Sequence, residues 1–341
     1  MTEMLLAKPK LEADWTDLSV GEATLVRQAL AEHIDIHHTP SILSDDDLNY
    51  QPTTGYPQLV ELLQAKYGEK NVLITNGAKQ GLGAISYALN RMNKAYINLS
   101  KIHWCLLPPL LEAHDLRCVF GDYMQAEAEL LVLPNNPDNY ASTEYADAVM
   151  ATAKTWKMPV IHDAVYYNHI YLPPEYQLKQ IGNVQLFSSS KLFGISGARV
   201  GWAICPDPDF YKLMQEYIEM MTVGVSSVSQ KMVYRILKLM QMDSKLQSDF
   251  EAKARSNLSQ AKQTFAEVDS SVFELPVDFK TSNGMFGWFK CNRPEVLKKA
   301  KIFVPDGKHF GQEGFVRLNL AVDRKVLQQT VERINAAVKG A

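Results

Sequence analysis

Apolar residues along this chain change their spacing repeatedly, and the changes mark its elements. Gln58 to Tyr67 carries Leu59, Leu62 and Leu63 on one side at helical spacing, and Asn71-Val72-Leu73-Ile74-Thr75 follows as a short apolar strand. That strand stops at Asn76-Gly77, and Ala78 to Arg91 returns to helical spacing. Further short apolar runs predict strands at Ala95–Leu99, Arg117–Phe120, Glu129–Leu133, Val160–Asp163, Val184–Phe187 and Gly201–Cys205. Several are separated by helical stretches such as Tyr145 to Trp156. Buried strands alternating with helices predict an α/β fold whose mostly parallel sheet is covered on both faces. Met214 to Met242 then reads as one or two long helices. From about Ser244 the pattern becomes α+β, with helices near Phe250–Phe265 and Arg324–Val338 and strands near Met285–Lys290 and Phe315–Leu320. The expected organisation is a large domain over 40–235 and a smaller α+β domain formed by 1–39 together with 236–341.

Composition removes some classes of function. A formal net charge of −3, with no local block of Lys or Arg, gives no nucleic-acid surface. No stretch approaches the ~18 apolar residues of a membrane span, and Met1 to Asp14 has no apolar core of a secretory signal. Cys105, Cys118, Cys205 and Cys291 are scattered without a C-x-x-C pair, so they read as buried thiols of a reducing compartment. A cytoplasmic location is the expectation. Asp45-Asp46-Asp47 reads as a capped helical turn or solvated loop ahead of a metal cluster.

Candidate chemistry centres on Ser188-Ser-Ser-Lys191-Leu-Phe-Gly-Ile-Ser-Gly-Ala-Arg199. The amine of Lys191 can form a Schiff base with an aldehyde cofactor, while nearby hydroxyls and the Arg199 guanidinium hold a phosphate. Pyridoxal phosphate (PLP) is the aldehyde that carries its own phosphate. Other segments ask for compatible partners, although each has a plainer reading. Thr75-Asn-Gly77-Ala78-Lys79-Gln80 is a strand–glycine–helix junction, suited to phosphate but common in any α/β protein. Asn136, in a turn rich in Pro and Asn, is placed to reach a phenolic oxygen or simply to turn the chain. Asp163 ends a buried strand, where it either pairs a pyridinium nitrogen or caps a helix; Tyr166 follows three residues later, and His162 faces the opposite side. Arg317, flanked by apolar residues, needs an anion, supplied by an amino-acid carboxylate or by an internal salt bridge.

In this order, these segments resemble the class I/II aminotransferases of PLP fold type I, over most of the chain. The run Ser188 to Trp202 is similar to that family's cofactor-lysine motif, Asn136-Pro137 to its Asn-Pro-x-Gly turn, and Asp163-Ala-Val-Tyr166 to its Asp-x-x-Tyr. Gly77-Ala-Lys-Gln80 resembles its phosphate loop, Tyr50-Gln-Pro-Thr-Thr-Gly55 its Tyr-x4-Gly element, and Asn283 to Trp288 and Pro305 to Arg317 its C-terminal part.

The resemblance implies that Lys191 holds PLP and later moves the substrate's α-proton. It implies that Asp163 pairs the pyridine nitrogen and that Asn136 and Tyr166 hold the phenolic oxygen. Ser188, Arg199 and the backbone at Ala78 and Lys79 would bind phosphate, and Trp104 would stack on the ring. Tyr50 would add a phosphate contact across a homodimer interface, while Arg317 and the backbone of Gly21 would take the substrate carboxylate. Two departures line the approach to the cofactor: Asp138-Asn139 replaces the family's Thr-Gly, and Ile102 replaces a proline two residues before the stacking aromatic. The implied activity is transfer of the amino group of an L-amino acid to a 2-oxo acid. Family members that take dicarboxylates often add an arginine after the lysine motif; Met220 to Gln230 contains none, which favours a neutral or aromatic side chain. A decarboxylase or lyase on the same scaffold is the alternative. A non-catalytic PLP-binding sensor is a further one, and a structural protein that lost the chemistry is disfavoured by Lys191, Asp163 and Arg199.

Overall fold

The computed structural model describes residues 11–36 and 49–340. The Asp45-Asp46-Asp47 run, the expected domain boundary near residue 40 and the start of the N-terminal segment lie outside these residues. The described elements begin with β1 (Thr16–Asp17), α1 (Thr24–Ala31), α2 (Pro57–Tyr67), β2 (Val72–Thr75), α3 (Gly77–Arg91), β3 (Tyr96–Leu99), α4 (Leu107–Glu112), β4 (Arg117–Phe120) and β5 (Ala128–Val132). They continue with α5 (Thr143–Trp156), β6 (Val160–Asp163), β7 (Val184–Ser188), α6 (Ser189–Leu192), β8 (Gly201–Ile204), α7 (Pro208–Thr222), α8 (Ser227–Met242) and α9 (Ser244–Phe265). The last are β9 (Phe273–Glu274), β10 (Phe286–Cys291), α10 (Pro294–Lys299), β11 (Ile302–Phe303), β12 (Phe315–Asn319) and α11 (Arg324–Lys339).

Seven strands form one sheet in the order β2-β8-β7-β6-β5-β3-β4. Only β8 runs against its neighbours; the other contacts are parallel. The alternation of side chains explains how so apolar a set of strands is covered. Val72 and Ile74 of β2 pack into the larger core, and Leu73 between them packs with Leu82, Ile85 and Leu89 of α3 and Phe210 and Met214 of α7 on the other face. The larger core continues into a second, antiparallel sheet, β12-β10-β9, where Phe265, Phe273 and Phe289 pack ring against ring. Burial of each such ring contributes about 1.5–3 kcal/mol.

Helix ends follow local chemistry. Asp207 accepts from the N–H groups of Asp209 and Phe210 with Pro208 at the first turn, and Gly68 ends α2 in the left-handed conformation. The expected long helical stretch is two helices, broken at Val223 (φ 63°) and restarted by Ser226, whose hydroxyl accepts from Ser229 N–H. The cysteine expectation is corrected in part: all four are free thiols, but only Cys205 is buried and the other three are half-buried. Cys105 lies in a turn, Cys118 in the edge strand β4 and Cys291 at the end of β10, where one side of the side chain stays open.

The N-terminal strap positions the site. β1 pairs with β11, Leu18 N–H donates to Phe303 O, and Asn319 N–H donates to Leu18 O. Residues 15–22 are thereby laid across β12, above the carboxyl ends of the seven-stranded sheet.

Candidate active site

The carboxyl ends of β2, β5, β6 and β7 open into one cavity of about 990 Å³, roofed by the strap, by Phe286 and by residues 303–310. This is the crevice in which open α/β sheets bind ligands, and it has room for a cofactor together with a small substrate. Every site residue implied by the resemblance lines it except Tyr50. Tyr50 is 90% exposed, on the surface outside the cavity.

One corner is built for an anion. Gly77 opens α3 with φ 69°, and a Cβ there would lie 2.5 Å from the Arg199 guanidinium. Arg199 therefore rests against bare backbone at a helix start, where the N–H groups of Ala78 and Lys79 belong to the first turn and have no partner within the helix. Ser196 O accepts from Arg199 Nη1 at 2.9 Å and holds the fork in place. Ser188 Oγ faces the same cavity and accepts from Ser190 N–H at 3.2 Å.

Lys191 sits in the short helix α6 directly after β7. Its Nζ donates to Gly21 O, and its own carbonyl accepts from Tyr171 Oη at 2.8 Å. Burial, and then the positive charges of Arg317, Arg199 and Lys79, lower its pKa to about 8 against the opposing pull of Glu22. A lysine tuned in this way can act as nucleophile and as base near neutral pH.

Asp163 is the last residue of β6 and is 5% exposed. It accepts a hydrogen bond from Val165 N–H at 3.2 Å, and burial raises its pKa to about 6. A buried carboxylate in that state calls for a cationic N–H donor. His162 beside it faces the core, where Gln185 Nε2 and Leu133 O occupy its two nitrogens at 2.9 and 3.2 Å. Asn136 Nδ2 donates to Tyr166 Oη at 3.4 Å, and both line the cavity above Asp163.

Arg317 is 5% exposed and lies between the rings of Phe286 and Phe310, with centroids at 4.6 and 4.9 Å. Nη1 donates to Asn136 Oδ1 at 2.9 Å and Nη2 to Ser19 O at 2.6 Å, while the buried Nε has no partner. No carboxylate of the chain pairs with this guanidinium among the described residues, so the internal salt bridge is absent there. An incoming carboxylate would supply the anionic partner that this guanidinium lacks. Gly21 lies beside it: a Cβ at this position would be 3.3 Å from the Phe286 ring and 3.5 Å from Lys191 Nζ. Trp104 lines the cavity with Lys79 Nζ 5.5 Å from its ring centroid.

Sequence reasoning did not single out several contributors. Ser190, Cys105 and Phe310 line the cavity. Glu22 accepts from Ser196 Oγ at 2.7 Å, joining the strap to the anion corner. Asn319, fully buried, donates to Val20 O and Glu22 O at 2.8 Å each and fixes the strap over Lys191. Its signal was available, because residues two apart on a strand share a face and Arg317 had been chosen.

PLP fits this donor set. A buried carboxylate, an anion corner on backbone N–H groups and a guanidinium, and a depressed amine each match a different part of it, and all open on one cavity.

Comparison with known proteins gives the chain a family and a fold. A family model described as allinase matches residues 117–338, more than half of the chain. Tryptophan aminotransferase-related protein 3 of Arabidopsis thaliana is 27% identical over 242 residues, which cover 64% of this chain and 50% of that protein. Alliin lyase of Allium cepa var. aggregatum is 34% identical over 110 residues, 32% of this chain and 22% of that one. The chain spans about half the length of the tryptophan aminotransferase-related proteins of Arabidopsis thaliana that it matches. Among solved structures, the α-aminoadipate aminotransferase of Thermus thermophilus, complexed with N-(5'-phosphopyridoxyl)-L-leucine, superimposes with a TM-score of 0.77 at 18% identity. The superposition covers 96% of this chain and 93% of that one.

Proposed function

Because the chain belongs to the allinase family, whose members are PLP-dependent and share the aspartate aminotransferase-like type I fold, we propose that it is a PLP-dependent aminotransferase. In this reading it moves the amino group of an L-amino acid with a neutral or aromatic side chain to a 2-oxo acid. One observation carries the proposal: Lys191, Asp163 and Arg317 line a single cavity, with the amine depressed, the acid buried and the guanidinium Nε without a partner.

When bound, PLP supplies an aldehyde that condenses with amines and a ring that accepts the electron pair released at the substrate Cα. The chain's residues divide the remaining work. Lys191 would hold the cofactor and, as a free amine, would carry the substrate's Cα proton as the base. Asp163 would keep the ring nitrogen protonated, and Asn136 and Tyr166 would hold the phenolic oxygen. Ser188, Arg199 and the N–H groups of Ala78 and Lys79 would hold the phosphate, and Trp104 would stand against the ring. Arg317, helped by the backbone at Gly21, would grip the substrate carboxylate and so fix the orientation of the substrate's Cα in the cavity.

Two observations support the side-chain preference. Val20, Leu106, Leu107, Phe303, Val304 and Phe310 give the cavity an apolar lining beyond the cofactor ligands. The tryptophan aminotransferase-related proteins are among the chain's relatives. A lyase is the second reading, supported by the family description and the alliin lyase match; there the same base would lead to loss of a side-chain substituent. We also propose a cytoplasmic homodimer in which Tyr50 reaches the partner's phosphate corner. Tyr50 is exposed, its neighbours Gln51 and Pro52 lie against Gly224, and Met220 and Met221 at the end of α7 and Val223 after it are exposed as well. No helix among the described residues is long and apolar enough to cross a membrane.

The experiment follows the cofactor absorbance of PLP-loaded protein against a panel of amino acids, with keto acid, ammonia and carbon dioxide assayed alongside. Stoichiometric keto acid from an aromatic amino acid, with the aldehyde form of the cofactor consumed, supports the proposal. Ammonia or carbon dioxide released while that form persists moves the protein to lyase or decarboxylase.

A further inference from the structure

The turn that carries Asn136 also carries Asn139, which stands where the related Asn-Pro-x-Gly turn has glycine. The backbone there is left-handed, with φ 57°, a conformation that asparagine tolerates. The turn is therefore kept and an amide is added to it. Asn139 Nδ2 donates to Phe286 O at 2.8 Å, and Asn139 Oδ1 accepts from Phe286 N–H at 3.3 Å. Gly284 makes room for this approach, since a Cβ there would collide with the Asn139 amide.

The strand ladder explains why Phe286 needs such a partner. Leu320 N–H donates to Met285 O, so the cross-strand pair Phe286 and Asn319 is of the non-hydrogen-bonded kind, and the N–H and C=O of Phe286 face away from β12. On that other side β9 reaches β10 only at Lys290 and Cys291. Phe286 is 3% exposed, so two buried backbone groups would lack partners without the amide. Asn139 does for one residue what an added strand would do.

Phe286 is central to the cavity. Its ring lies 4.6 Å from the Arg317 guanidinium and 5.8 Å from the Tyr166 ring, and it packs against bare Gly21. A single turn thus grips both strands of the substrate wall, Arg317 through Asn136 and Phe286 through Asn139. We infer that Asn139 is a positioning residue for the substrate carboxylate, acting through Phe286 to hold the face of Arg317. The inference rests on the reading of Arg317 as the carboxylate site.

The test is calorimetric binding of 3-phenylpropionate, an aromatic carboxylate with no amine to react, to PLP-loaded protein and to Asn139→Gly, which keeps the left-handed turn. Hydrogen exchange of the Phe286 amide and PLP affinity by absorbance are followed in parallel. The expected result is a Kd for the carboxylate about tenfold higher, as both hydrogen bonds to the Phe286 backbone are lost, faster exchange at Phe286, and unchanged PLP affinity. Phe286→Leu should weaken carboxylate binding similarly. Equal carboxylate affinity in Asn139→Gly overturns the inference, as does a parallel loss of PLP affinity, which signifies general loosening. If the unsubstituted protein takes up PLP but no carboxylate, the reading of Arg317 fails and the inference falls with it.

Discussion

The two walls of the cavity are held by different means. Asp163 and Ser188 are the last residues of β6 and β7, and Gly77 follows β2 by one turn residue, so a ladder buried on both faces sets their positions. The opposite wall is assembled from distant pieces through polar contacts. Arg317 reaches Ser19 O across 298 residues of sequence, Asn319 ties down Val20 and Glu22, and Asn139 holds Phe286. The wall proposed to hold the cofactor is preorganised by the fold itself, whereas the wall proposed to hold the substrate depends on a few replaceable side chains. Substitutions should therefore divide cleanly, with changes in the first wall altering cofactor retention and changes in the second altering substrate affinity.

Lys191→Ala should have the largest effect, a fall in turnover of about 10³-fold or more, with the melting temperature preserved; full activity would contradict both walls at once. Arg317→Leu should lower kcat/KM for an amino acid by about 10²-fold through KM, the effect of a charge-assisted pair, while PLP affinity stays the same. Loss of PLP in that variant would break the division between the walls.

Asp163→Asn sharpens it from the other side. The pKa of Asp163 is raised to about 6, so the folded chain keeps this proton in a range where the unfolded chain, with its ordinary carboxylate, has released it. Stability of the cofactor-free protein therefore falls as pH rises from the ordinary carboxylate range to about 6, and at pH 7 the buried charge is a burden. Asparagine removes that burden, so cofactor-free Asp163→Asn should melt about 2–4 °C higher at pH 7. Its PLP affinity and turnover should both drop. The smallest effect is expected for Ser188→Ala, a rise in PLP Kd of about 5- to 10-fold, with KM for the amino acid unchanged.

The same division decides how much was legible in the sequence. The strands from Val72 to Ile204 show in the apolar pattern because, edge strand β4 aside, both their faces are buried, and Asp163 and Lys191 are legible because each stands at or just beyond the end of such a run. Boundaries drifted by a residue where a turn begins, as at Leu133, which leads out of β5. Glu22, Asn319 and Phe286 were not singled out because their roles arise from contacts between segments far apart in the chain, which no local spacing encodes. Asn139 is instructive in another way. The departure from the related turn was visible in sequence, but its meaning depended on the unpaired edge of β10, which only the fold reveals.

The most direct test of the account is to load the purified protein with PLP, reduce it with borohydride and map the pyridoxyl label by peptide mass spectrometry. The account predicts one label per chain, on Lys191, with trapping that weakens as the pH is lowered through about 8. A label on Lys79 or on surface lysines, or no label at all, would contradict it.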